Sequence, residues 1–354
     1  MADIYGLRTK DASGAITLDT TITPIRSLKM MQVVGNNAFD QYISIPEIQA
    51  QSFVVVDTLQ DMGENTWSPQ AWYSAGQLQL RQPQNLTWQV MILSQGGEPF
   101  SAAGSYGIRA FNDNVRTQID SINRILSVRY SGAFQIGLYW RSGMQVQEIR
   151  WADVTFPAPV TTYERPLIFL NAADYMMVGS FSMKGSPGNW TGFRLRQWAQ
   201  PATHGSAGYD YMQISWFCAS YMTPNTPEGD YGASVRDAAG NRTFITTANL
   251  SLLNSQPATT QFVNAGPPIT GVGGYYAPSQ QMPWTGSFGD YVLANALFSC
   301  VNIAATTQPI RANFGGFLPG NRSVLQMYCD NFSGINPITA NGRTLFASRP
   351  MKQL

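Results

Sequence analysis

Apolar and polar positions alternate with a period of two along much of this chain. Tyr231, Ala233 and Val235 alternate with Gly232, Ser234 and Arg236, which predicts a strand with one face turned inward. Asp237-Ala238-Ala239-Gly240-Asn241 then supplies turn chemistry: an Asp able to bond its own backbone and a Gly tolerant of positive φ. Thr243 to Thr246 resume as a β-branched strand, so the segment predicts a β-hairpin with a loop of four or five residues. The same pattern opens at Tyr5 (YGLRTKDASGAITLDT) and at Tyr106 (YGIRAFNDNVRTQIDS). In the second copy Val115 replaces the turn Gly, and Val115, Ile119, Ile122 and Leu126 fall at helical spacing, so a short helix over 112–126 competes there with the hairpin.

The three copies start 101 and then 125 residues apart, each spacing being that of a small domain. Strand-like runs follow each copy and end in a closing run with bulky apolar groups on both faces: Leu86 to Leu93, Met212 to Tyr221 and Val324 to Cys329. Such strands are expected to be central, covered on both sides. The expected fold class is all-β, with tandem antiparallel β-sandwich-like modules at 1–98, 99–226 and 227–354. The stretch Asn341 to Ser348 reads as a partial fourth copy.

Composition narrows the function classes. Charged residues make up 12% and the net charge is +1, so no cationic excess exists to neutralise a phosphate backbone and a nucleic-acid partner is not expected. The 26 Gln and 21 Asn outnumber all charged side chains, which suits strands and uncharged polar surface better than long exposed helices. No leader-like segment follows Met1, and no run of 18 apolar residues suggests membrane insertion. Cys218, Cys300 and Cys329 are widely spaced in apolar runs and read as reduced core thiols.

The search for chemistry gives little. One histidine, His204, and three scattered cysteines make no recognisable zinc site, and no nucleophile or phosphate-loop pattern accompanies them, so no catalytic residue, metal or cofactor is expected. Acids such as Asp153, Glu164 and Asp290 stand in no context that marks a glycosidase pair. Aromatic residues beside Arg are the better candidates for ligand contact. They are Trp190, Arg194, Arg196 and Trp198, of which the last three share a strand face, and Tyr275, Tyr276 and Trp284 in a Gly/Pro-rich region. Trp67, Trp72 and Tyr73 form a comparable group nearer the N-terminus. For all of these aromatics, covering a sandwich edge or packing between subunits is the competing role.

The repeated YG[LI]R…[DN]A-x-G…T-[LF]-D segment, at Tyr5 to Thr20, Tyr106 to Ser121 and Tyr231 to Thr246, resembles virion proteins of long-tailed bacteriophages found at the tail tip or tail fibres. The resemblance implies a structural and interaction protein of a tail tip, arm or fibre, made in the host cytoplasm without a signal peptide and then carried in the virion. Its implied partners are other tail proteins and further copies of itself, with a trimer favoured and a host-surface glycan or protein as receptor. The alternatives are a lectin-like carbohydrate-binding module and, third, a tail-associated polysaccharide depolymerase.

Overall fold

The structure is a computed structural model that describes residues 8–10, 16–19, 23–59, 67–68, 70–81, 83–94, 107–111, 116–137, 151–173, 176–197, 211–221, 233–253, 263–264, 269–270, 276–277, 280–284, 288–297, 300–301, 311–318, 321–329, 344–348 and 350. The described residues are essentially all-β, with one four-residue helical turn at Ala294–Leu297. The ladders are antiparallel except for the short pair Trp67–Ser68 with Cys300–Val301.

All three repeat copies form hairpins. Arg8–Lys10 pairs with Ile16–Asp19, Gly107–Phe111 with Arg116–Asp120, and Ser234–Arg236 with Arg242–Ile245. The first and third share one register: Arg8 faces Asp19 as Ser234 faces Ile245, and Lys10 faces Ile16 as Arg236 faces Arg242, with the same irregularity one residue earlier. In the second copy Gly107, not Arg109, faces Asp120, and Arg116–Asp120 is strand rather than the competing helix. The third turn closes as its residues dictate. Asp237 accepts from the backbone N–H groups of Ala239 (2.9 Å) and Asn241 (2.8 Å), and Gly240 takes a φ of 83°.

Just past each hairpin the three copies meet. Ile25, Leu126 and Ser251 occupy the same place in the repeat, 20 residues after its Tyr. Their backbones form a closed ring: Ile25 N–H donates to the Ser251 carbonyl (2.7 Å), Ser251 N–H to Leu126 (2.9 Å) and Leu126 N–H to Ile25 (2.9 Å). A second cycle surrounds it. Ser27 pairs with Arg124, Val128 N–H donates to Asn249 (2.6 Å) and Leu253 N–H donates to Thr23 (2.8 Å), again joining equivalent positions. One chain thus makes the hydrogen-bonding pattern of a threefold junction. Two hairpins pack beside it through Ile119, Ile125, Phe244, Ile245 and Leu250. The suspected fourth copy arrives there too, as Ser348 N–H donates to the Leu252 carbonyl (2.9 Å) and Phe346–Ser348 pairs with Asp290–Leu293.

From this junction the strands run into two large sheets. The eight-stranded sheet has the order Phe346–Ser348, Asp290–Leu293, Leu167–Ala172, Tyr211–Tyr221, Arg124–Gly137, Arg26–Val34, Thr87–Ser94, Phe53–Thr58. The nine-stranded sheet is built on Trp151–Val160, Asn189–Gln197, Met176–Ser186, Arg311–Leu318, Asn321–Cys329, Gln280–Pro283 and Val263–Asn264. Ladders cross both boundaries drawn from the repeat. Arg26–Val34 pairs with Arg124–Gly137, Leu167–Ala172 with Asp290–Leu293, and Met176–Ser186 with Arg311–Leu318. The spans 1–98, 99–226 and 227–354 therefore place strands in common sheets.

Alternation along the strands fixes three cores. Ile214, Trp216 and Cys218 join Ile168 and Leu170 on one face of the eight-stranded sheet, against Phe181, Phe193 and Phe317 of the nine-stranded sheet. Phe217, Ala219 and Tyr221 fill the opposite face with Phe169, Met91 and Leu93, where Phe169 and Phe217 stack at 4.8 Å. A three-stranded sheet of Asp40–Ser44, Gln77–Arg81 and Gln70–Ser74 packs Leu78, Leu80 and Tyr73 onto Trp88, Val90 and Ile92. All three closing strands are central, each flanked by two neighbours, as their two-sided apolar pattern requires. Burying one such side chain contributes about 1.5–3 kcal/mol, so these cores outweigh the junction's hydrogen bonds in energy. The helical turn Ala294–Leu297 directly follows the strand Asp290–Leu293.

The junction is open to test. Ser251→Pro removes the N–H that closes the ring at a buried position and sets the proline ring against the Leu126 carbonyl, and is expected to cost about 3 kcal/mol or more in urea unfolding. Ser251→Ala, which keeps that N–H, is expected to stay within about 0.5 kcal/mol of the parent.

Candidate functional site

Trp190, Arg194 and Arg196 of the predicted aromatic–Arg group lie on Asn189–Gln197, between Trp151–Val160 and Met176–Ser186 in the nine-stranded sheet. Near the start of this strand the pairing slips from Lys184 opposite Gly192 to Gly185 opposite Trp190. Gly185 takes a φ of 105°, and a Cβ on Gly192 would sit 2.0 Å from the Val154 carbonyl oxygen. This bulge turns Trp190 to the core face. Trp190 is fully buried and its indole N–H donates to the Thr162 carbonyl (3.1 Å). It is a core residue, not the ligand contact expected of it.

Arg194 and Arg196 do share the outer face, half-buried, with their guanidinium groups 5.4 and 5.8 Å from the Trp151 ring. Arg194 forks onto Asp153 through Nε to Oδ1 (2.7 Å) and Nη2 to Oδ2 (2.8 Å), and Lys184 joins the same carboxylate. The Arg194 hydrogen bond, with the Lys184 bond and charge behind it, holds the Asp153 carboxyl at about 2. Trp284 is also a core residue, buried between Phe317 (6.0 Å) and Phe346 (5.1 Å) because Gln280–Pro283 delivers it under the sheet. Tyr276 lies in a two-residue strand opposite Thr270. Trp198, Tyr275 and His204 fall outside the described residues. The described members of the predicted set therefore do not share one site: two are core, two are ion-paired or ring-stacked on a sheet face, one lies in a short separate strand, and the remaining two, Trp198 and Tyr275, fall outside the described residues.

Sequence reading missed a buried polar latch. Arg165 and Asp57 are both almost fully buried and form an ion pair, and Arg165 Nη1 also donates to the Thr58 carbonyl (2.7 Å). Asn295 donates to Asp57 Oδ2 (3.0 Å) and to the Pro166 carbonyl (2.9 Å) and accepts from Ile168 N–H (2.7 Å). The Gln89 amide oxygen accepts the Arg165 backbone N–H (2.7 Å). Burial pushes the Asp57 carboxyl above its ordinary range, against the pull of Arg165. Residues from all three repeat spans meet here, and no local pattern around any of them announces it. A second buried pair, Arg26 with Asp120 (3.0 Å), sits beside the junction. The Asp120 carboxylate also accepts from the backbone N–H groups of Ile122 (2.9 Å) and Asn123 (2.6 Å) and from the Gln118 amide (2.7 Å). Both buried carboxylates are thus engaged in holding segments together.

An open cleft of about 440 Å³ lies over Ser131, Ala133, Asn171 and Ser215, walled by Phe288 and Tyr291. Arg322 stands beside it between the Phe288 and Phe317 rings (4.6 and 4.4 Å), donating to the carbonyls of Ala172 and Ala173 and to Asn171 Oδ1 (3.1 Å). The lining offers hydroxyl, amide and aromatic groups. Among the described residues no cluster of three His, Cys, Asp or Glu is placed to hold a metal, and no helix is long and apolar enough to cross a membrane. Cys218 is a buried free thiol whose burial pushes its pKa up. Comparison with protein-family models, with curated proteins and with solved structures finds no match.

Two tests follow from the charges. Arg165→Met, which strands Asp57 without its cation, is expected to cost about 3–5 kcal/mol in guanidinium unfolding, and adding Asp57→Leu to restore part of it. Asp153 has a folded pKa below its unfolded value of 3.8, so its contribution is present above 3.8 and is lost as pH falls through about 2. An acid-unfolding profile of Asp153→Asn is expected to be flatter than the parent's across that window.

Proposed function

We propose that this chain is a structural and interaction protein of a bacteriophage tail, at its tip, arm or fibre, acting without catalysis. The observation that carries the reading is the closed ring of Ile25, Leu126 and Ser251, by which three copies of the tail-protein-like segment converge on one junction. The repeat residues work as scaffold: Asp237 and Gly240 shape a turn, and Asp120 ties Arg26, Gln118 and Asn123. The charge-poor, amide-rich composition and the buried free thiol Cys218 agree with a protein built in a reducing cytoplasm and displayed outside it. The partners in this reading are other tail proteins and further copies of the chain, a trimer being the favoured assembly, with a host-surface glycan or protein as receptor. Mass spectrometry of purified particles of the encoding phage is expected to find the chain at a fixed ratio to the other tail proteins. Its absence from assembled particles would overturn the assignment.

A further inference from the structure

The outer face of the three-stranded sheet sets an ion pair among exposed aromatic rings. Alternation turns Leu78, Leu80, Ala71 and Tyr73 inward, which leaves three cross-strand rows facing out. Tyr42, Gln79 and Trp72 form the middle row; Asp40 and Arg81 lie in one flanking row, and Ser44, Gln77 and Ser74 in the other. Tyr42 is 60% exposed, as is Phe39 at the edge of the face. The Arg81 guanidinium lies between the Phe39 and Trp72 rings, 4.9 Å from each centroid. Its Nε donates to Asp40 Oδ1 (3.0 Å), and the Gln79 amide donates to the same oxygen (3.0 Å). The aromatic planes are thereby fixed before any ligand arrives, and the charges of Asp40 and Arg81 neutralise each other. The Arg81 hydrogen bond also holds the Asp40 carboxyl below its ordinary range, so the pair stays ionised into acid.

We propose that this face, carried by Phe39, Tyr42, Trp72, Gln79, Asp40 and Arg81, binds a neutral oligosaccharide. Three properties select that ligand. First, pyranose rings present an apolar C–H face to aromatic planes and hydroxyls to planar amides, carboxylates and guanidinium groups, which are the groups on display. Second, the face is electrically balanced, so it complements an uncharged polyol; a nucleic acid would require several unpaired cations. Third, the face spans two inter-strand spacings by five residues, about 10 by 17 Å or roughly 170 Å². A stable protein interface needs roughly 800 Å² on each partner. Tyr42 and Trp72 stand on the two outer strands, about 10 Å apart, so their rings serve neighbouring sugars of one chain.

The inference stands apart from the tail assignment, because purified chain is its only reagent and location in a particle does not enter. The test is a glycan array of linear glucan, mannan and galactan oligosaccharides, with sialylated and uronate-containing counterparts, followed by titration of the hits against tryptophan fluorescence. Saturable binding to neutral members is expected. Trp72→Ala and Tyr42→Ala are each expected to weaken it about tenfold or more, whereas Tyr42→Phe keeps most of it. Phe288→Ala, at the separate cleft, is expected to bind as the parent does, and matched thermal unfolding curves show that the variants remain folded. Silence on the whole array, binding confined to anionic glycans, or undiminished binding by a folded Trp72→Ala would each overturn the proposal. So would a solution dimer in which Trp72 is shielded from a quencher.

Discussion

The ring of backbone hydrogen bonds among Ile25, Leu126 and Ser251 is the constraint on which the rest of the architecture depends. Each bond is worth only about 0.5–1.5 kcal/mol net, so its importance is geometric. The ring fixes the direction in which the chain leaves each repeat. After Ile25 it becomes the strand Arg26–Val34, and through Leu126 it runs along Arg124–Gly137, so these two strands lie side by side in the eight-stranded sheet. After Ser251, Leu252 and Leu253 make single bridges to Pro24 and Ala347. Equivalent positions at the junction thus give rise to unequal continuations, which is how a repeat with three copies supports a molecule that is not three-fold.

The junction brings strands together at one end, and the Asp57–Arg165–Asn295 latch fastens them elsewhere. Its members are separated by 108 and 238 residues from Asp57. A buried ion pair is weak evidence for stability, since apolar replacements of similar volume often do as well. Its directional bonds offer selectivity instead: Asn295 reaches Asp57, Pro166 and Ile168 at once only when all three spans are in register. Contacts of such separation close large loops, so folding of this chain is expected to be slow beside that of its local hairpins.

Local chemistry was legible in the sequence, and long-range pairing was not. The Asp237 turn, the positive φ of Gly240, the matching first and third hairpins and the central closing strands follow from residue types and period-two alternation. The spacing of the repeat suggested where spans begin but carried no information on which strand pairs with which, so the shared sheets could not be read from it. The edge strand Trp151–Val160 is a case where the signal was present. Its alternating burial and its outward Pro157 and Pro159 mark an edge, since proline cannot extend a ladder. Trp190 shows the opposite situation. Alternation assigns it to the face of Arg194, and one bulge at Gly185 moves it to the core.

The same reasoning explains why aromatic clustering along the chain does not mark out one face. Trp72 and Tyr73 are adjacent in sequence, yet they lie on opposite faces of one strand: Tyr73 is buried on Trp88 and its neighbours, while Trp72 shares the outer face with Gln79. The partner that completes the row, Tyr42, lies 30 residues earlier, on the strand Asp40–Ser44. A binding face on a sheet is a cross-strand object. Its members are separated in sequence by whatever length of chain the turns require, and only register brings them level. In this protein the register of the three-stranded sheet is set from below, because Leu78 and Leu80 must meet Val90 and Ile92, and slipping by one residue would invert every side chain. The exposed row of Tyr42, Gln79 and Trp72 is therefore fixed by the packing of the core beneath it.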